Sequence, residues 1–147
     1  MMKFTFILIV LVLRALPVQA DNLSGPATVI DGKTIEIAGQ RLQLFGIDAP
    51  NLKQTCRWPE KEIPCGKLAK WALMDLVIGA KVTCTWHDKS QQLAMCKAGG
   101  FDVARNLVHT GWALADREQS MRYSVNEMEA RRAKRALWKG TFLPPKQ

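Results

Sequence analysis

The sequence predicts an α+β domain that is mainly a five-stranded β-barrel of the OB-fold type, carrying three helices. Three observations point there. β-rich runs flank Asp31-Gly32 and continue into an alternating third run at 41–47, an amphipathic helical pattern occupies 66–78, and two more β-rich runs at 81–87 and 92–98 face each other across a short polar turn. Three strands, a helix and two strands is the chain order of this barrel, a scaffold that often binds nucleic acid or sugar on one face. The 147 residues, 48% of them apolar, are enough for one hydrophobic core and one domain.

Each element has a local reason. Asp31-Gly32, between runs 28–30 and 33–37, is a dipeptide suited to the positive φ angles of a tight hairpin turn. Ala38-Gly39 makes the next turn. Leu42 and Leu44 then alternate with Gln43 on the opposite face until Pro50 ends the strand. Residues 51–64 carry two prolines and mixed charge without periodicity, so they read as a loop suited to specificity or lid duty. Leu68, Ala69, Ala72, Leu73 and Leu76 recur at helical spacing, with Gly79 as a stop. Asp102 is placed to cap a short helix running to Thr110 before Gly111. Ser124 and Glu127 have the spacing of a capping box that opens a last helix ending near Trp138.

Residues 1–20 combine a basic start at Lys3, an apolar run at 4–13 and a small-residue ending at Ala20, the pattern of a secretory signal. The expected organisation is a signal at 1–20 and a domain at 21–147, with a secreted or periplasmic location and no membrane span after cleavage. Losing Lys3 and Arg14 lowers the formal charge from +8 to +6, which still favours contact with nucleic acid or another anionic polymer, and is equally consistent with charge that only confers solubility.

Cys56, Cys65, Cys84 and Cys96 are an even set in an apparently exported chain, so disulfides are expected. Their spacings of nine and twelve do not match zinc sites, and the two histidines, His87 and His109, are far apart in sequence. Three pairings exist. Cys84 and Cys96 lie symmetrically about Ser90 in the second hairpin, which favours Cys84 with Cys96 and therefore Cys56 with Cys65.

Residues 29–37 and 41–51, the segment from Trp58 to Gly66, Gly111-Trp112-Ala113-Leu114-Ala115, and the pair Ala130-Arg131-Arg132-Ala133 and Leu137-Trp138-Lys139-Gly140 together resemble the thermonuclease, or staphylococcal-nuclease-like, family from about Thr28 to Pro144. The resemblance implies an OB barrel with added helices. It also implies a calcium site made of two carboxylates and a backbone carbonyl, a Glu that helps activate water, and two Arg that hold the phosphate. Asp48 matches one calcium carboxylate and Ala49 would supply the carbonyl. The second carboxylate position holds Lys33, the two Arg positions hold Gln43 and Gln92, and the Glu position holds Asn51.

Those exchanges remove the chemistry. An ammonium about 4 Å from a divalent cation is repelled by roughly 8 kcal/mol at an effective dielectric of 20. Each lost transition-state donor costs about 3 to 4 kcal/mol, and Asn51 cannot take a proton. The expectation is a binding module for anionic polymer or a protein partner, with no cofactor, no bound metal and no calcium-dependent phosphodiesterase activity. One alternative is an active secreted nuclease using calcium at a displaced site, recruiting Glu36, Asp88 or Asp102. Another is an envelope or polysaccharide-biosynthesis accessory protein. Lys33 is further expected to approach Asp48 as a substitute for the lost cation.

Overall fold

The structure, a computed structural model, describes residues 21–142. The expected signal at 1–20 and Pro144, the end of the family resemblance, lie outside the described residues. The described residues form eleven short strands: β1 (Asn22–Gly25), β2 (Ala27–Val29), β3 (Thr34–Ile37), β4 (Gln40–Leu44), β5 (Ile47–Asp48), β6 (Cys56–Trp58), β7 (Lys61–Ile63), β8 (Val82–Asp88), β9 (Leu93–Ala98), β10 (Phe101–Asp102) and β11 (Leu114–Ala115). The helices are α1 (Cys65–Val77), α2 (Val103–Thr110) and α3 (Ser124–Arg132), followed by a 3-10 turn at Ala136–Lys139. Among the described residues no helix is long and apolar enough to cross a membrane.

The α+β class and the predicted order of three strands, a helix and two strands hold. The principal sheet runs β1-β8-β9-β4-β3-β2, with β10 added to β9. All its ladders are antiparallel except β4 on β9, which is parallel. That one parallel contact joins the first three-stranded unit to the second hairpin. Ile35, Ile37, Leu42 and Leu44 from the strands meet Leu73 and Val77 of α1 and Leu107 and Val108 of α2 in one core. Burying each such side chain contributes roughly 1.5–3 kcal/mol.

Both disulfides are those favoured from spacing, Cys56–Cys65 and Cys84–Cys96. Cys84 and Cys96 are direct partners in the β8–β9 register, as the symmetry about Ser90 requires.

Four local expectations are corrected. First, Gly32 does not take a positive φ. The Asp31 carboxylate instead closes the turn by accepting the Lys33 and Thr34 amides at 2.9 Å, and glycine is demanded because a Cβ would sit 2.9 Å from that of Ala69 and 3.0 Å from that of Ala49. Second, the segment read as a loop at 51–64 contains the β6–β7 ribbon, whose two ends flank the Cys56–Cys65 crosslink. Third, Ser124 and Glu127 do not form a capping box. Ser124 Oγ lies against Met121, while the buried Glu127 carboxylate accepts the Ala115 amide at 2.7 Å and pairs with Arg117 at 3.3 Å. Fourth, the last helix stops at Arg132, because the chain turns through positive φ at Lys134 and Ala136 to dock on Gly111, where Leu137 N–H donates to the Gly111 carbonyl.

Candidate functional site

Three strands bring the exchanged positions together. Thr34 on β3, Gln43 on β4 and Leu93 on β9 lie side by side in register, so Lys33 and Gln92, each one residue earlier, flank Gln43. Backbone bonds pin them: the Gln43 amide donates to the Gln92 carbonyl at 2.8 Å, and the Leu44 amide to the Lys33 carbonyl at 2.9 Å. Gln43 and Gln92 point into solvent. Gln92 holds φ at 58°, closing the tight end of the β8–β9 hairpin.

Asp48 reaches the same place by another route. After β4 the chain passes Gly46 at φ 81°, which switches residues 47–48 out of the main sheet to pair with β11, Asp48 opposite Leu114. A Cβ on Gly46 would meet the Tyr123 ring at 3.0 Å, so this bend needs glycine on both counts. The turn leaves the Asp48 side chain 12% exposed beside Lys33. Lys33 Nζ lies 2.5 Å from Asp48 Oδ1, and the same oxygen accepts the Ala49 amide at 2.8 Å.

The fourth position, Asn51, sits three residues beyond Asp48 at the start of the disulfide-bonded loop. Its carbonyl accepts the Gln54 amide at 2.8 Å and is packed so closely on Gly66 that a Cβ there would come within 1.9 Å of it. Asn51 is therefore rigidly held by its backbone while its residue surface is exposed.

The geometry fits a lysine–aspartate pair and not a calcium ion. A hard divalent cation needs several oxygen ligands at about 2.3–2.6 Å, and at Asp48 the ammonium of Lys33 already sits on Oδ1, where a nearby cation would be repelled. Among the described residues no group of three or more His, Cys, Asp or Glu side chains is gathered as a metal site. Asp88 instead anchors the hairpin turn, accepting the Ser90 hydroxyl at 2.6 Å and the Gln91 amide at 3.1 Å; these bonds, the Ser90 one foremost, hold its carboxyl below the usual carboxylate range. Asp102 caps α2 through the Arg105 amide and accepts the Tyr123 hydroxyl at 3.0 Å. Glu36 stands opposite Arg41 in the β3–β4 register.

Sequence reasoning missed a ring stack that begins two residues after Gln43. The Phe45 ring lies 3.6 Å from that of His87, with 20° between the planes. The β8 strand shifts register between Trp86 and Asp88, and this irregularity frees His87 from strict alternation. A two-residue periodicity carries no sign of such a shift.

Two similarities accompany this geometry. Residues 41–140 match the family described as staphylococcal nuclease homologue. The chain is also 32% identical over 127 residues to the succinoglycan biosynthesis protein ExoI of Rhizobium meliloti (strain 1021), an alignment covering 82% of this chain and 66% of that protein. The chain thus spans slightly less than two thirds of that relative's length.

Proposed function

The chain belongs to the staphylococcal nuclease family, and from that premise we propose that it is a non-hydrolytic binding domain whose ligand is an anionic polymer. One observation carries the reading: the Lys33 ammonium sits 2.5 Å from the single retained calcium carboxylate, Asp48. A cation supplied by the protein has taken the metal's electrostatic place, but an ammonium cannot activate water or polarise a phosphoryl oxygen as a metal does. Gln43 and Gln92, brought side by side where two guanidinium groups would hold phosphate, donate only neutral hydrogen bonds. Asn51 offers no base. Groups that act as one catalytic unit lose activity together, so partial hydrolysis is not expected.

The basic charge, +8 for the whole chain and +6 for residues 21–147, supports a polyanionic ligand, and two disulfides support an oxidising compartment outside the cytoplasm. A second reading, an accessory role in polysaccharide biosynthesis, is favoured by the name of the Rhizobium relative. The two readings meet if the polymer is a charged glycan.

The test is incubation with single-stranded DNA and RNA in calcium, magnesium, manganese or chelator, beside binding assays on nucleic acid and acidic polysaccharide at rising salt. The expected outcome is no cleavage above a blank in any metal, with salt-sensitive binding to at least one polyanion. Robust metal-dependent cleavage would overturn the proposal in favour of a displaced catalytic site.

A further inference from the structure

A second recognition surface lies on β9, β10, α2 and the start of α3, and it shares no residue with the Lys33–Asp48 site. We propose that this groove binds a carboxylate-bearing saccharide, and that it rather than the former nuclease site is where an acidic glycan is recognised; the proposal rests on the binding reading above.

The groove is open to solvent and has a volume of about 390 Å³, within the roughly 300–1,000 Å³ range of small-ligand clefts. Its wall is the polar face of α2. Asp102, Arg105, Asn106 and His109 recur at helical spacing on that face, while Val103, Ala104, Leu107 and Val108 bury the other. Lys97, Arg122 and Asn126 complete the lining. Three cations therefore face one carboxylate, and that carboxylate is already engaged: Asp102 accepts the Arg105 amide and the Tyr123 hydroxyl, and lies 3.6 Å from Arg122 Nε. Lys97 stands opposite Asp102 in the β9–β10 register, yet among the described residues neither it nor Arg105 forms an ion pair, while Asp102 pairs with Arg122, so both charges are open to a ligand.

Phe101 stands at the rim with 73% of its surface exposed. The Gly99-Gly100 turn, with φ 56° and 85°, directs the chain so that β10 pairs back on β9 while Phe101 projects outward. An apolar ring held in water beside a charged cleft returns nothing to folding, and it offers a flat face for the C–H surface of a sugar ring. The carboxamides of Asn106 and Asn126 both donate and accept, which suits hydroxyl groups. Guanidinium at Arg105 and Arg122 suits a planar carboxylate.

A nucleic-acid strand fits less well. Binding such a strand calls for a cationic track several nucleotides long with successive aromatic platforms. Here Phe101 is the groove's one aromatic ring of the phenyl or indole type, so although the basic surface continues past His109 to Arg135, whose guanidinium donates to the His109 carbonyl at 2.9 Å, there is no second platform for a stacked base.

The test measures binding of the full chain to oligogalacturonate, a maltooligosaccharide of equal length and a single-stranded oligonucleotide, by calorimetry at two salt concentrations. Oligogalacturonate should bind in a salt-sensitive way and the neutral sugar should not. Arg105→Gln should weaken binding by roughly tenfold, the loss of one charge-assisted contact. Phe101→Ala should weaken it by roughly fivefold. Lys81→Gln, an equal charge change outside the groove, should leave affinity as it is. Both groove residues are exposed, and unchanged thermal melts would show that the variants fold. If wild type binds the acidic sugar but Arg105→Gln and Phe101→Ala bind as well, the groove assignment falls and the binding reading stands. If the oligonucleotide binds more tightly and responds to the same variants, the saccharide assignment is wrong. If wild type binds no polyanion, both fall.

Discussion

Asp48 and Asp102 each end a two-residue strand, and their side chains are almost equally exposed, 12% and 15%. Their company differs. Asp48 has one side-chain partner, Lys33, besides the amide of the next residue. Asp102 is held by a helix-cap amide, a buried phenol and a guanidinium. The lesson is that depth alone does not assign a carboxylate its role. A charge balanced by a single long side chain can be released by one substitution with the fold intact. A charge woven into backbone and core contacts cannot be altered without loosening the elements that it joins.

The largest expected effect lies at Asp48. The fourfold variant Lys33→Asp, Gln43→Arg, Asn51→Glu, Gln92→Arg should acquire calcium-dependent cleavage well above wild type, since each restored donor accounts for roughly a hundredfold or more. The register that sets residues 33, 43 and 92 together is already in place. Cleavage is read on single-stranded DNA with calcium against chelator. A variant that binds calcium but does not cleave would show that supporting residues have drifted as well.

Next in size is Asp102→Ala. It removes a cap worth about 1 kcal/mol and leaves the Tyr123 hydroxyl without its acceptor at a further ~1–3 kcal/mol, so unfolding free energy should fall by about 2 to 4 kcal/mol. Lys33→Ala should change stability by only about 1 kcal/mol, because the pair is partly solvated. It should instead improve calcium binding, measured by calorimetry, without producing cleavage. Equal destabilisation by the two variants in chemical denaturation would erase the distinction between the two carboxylates.

A pH dependence is expected at Tyr123, the partner of Asp102. Burial, and then the Asp102 charge, push the Tyr123 hydroxyl up to about 12 from 10.0. The folded state thus keeps its proton where the unfolded chain has lost it. Stability from this group is complete below pH 10 and declines as pH rises toward 12. Tyr123 is the only tyrosine in the chain, so tyrosinate absorbance reports it alone. Titration near the ordinary phenol value would show that the hydroxyl is neither buried nor in contact with Asp102 in solution.

Much of the framework was legible because its causes are local. Alternating Leu42 and Leu44, the helical spacing of Leu68 to Leu76 and the Asp102 cap each depend on residues a few positions apart. The Cys84–Cys96 pairing was legible because a hairpin makes symmetry about its turn equivalent to contact. Elsewhere a local signal met a stronger distant partner. Glu127 had the right spacing to cap α3, but the unpaired amide of Ala115 claimed its carboxylate. Gly32 looked like a turn glycine for its dihedral freedom, whereas the crowding of Ala49 and Ala69 is what excludes a side chain. The β6–β7 ribbon is too short to show periodicity and depends on the crosslink that brackets it.

By itself the sequence determined the chemical groups at positions 33, 43, 51 and 92, one ammonium and three carboxamides. It also determined the cysteine parity and the order of strands and helices, since these depend on residue identity and near-neighbour spacing. Only the tertiary structure decided that Lys33 settles on Asp48, that Gln43 and Gln92 stand side by side, and that Lys97, Phe101, Arg105 and Arg122 share one groove. Those contacts join residues from separate strands and helices. Their geometry is set by sheet register, by the bend at Gly46 and by helix packing, and none of these is a property of any short stretch of chain.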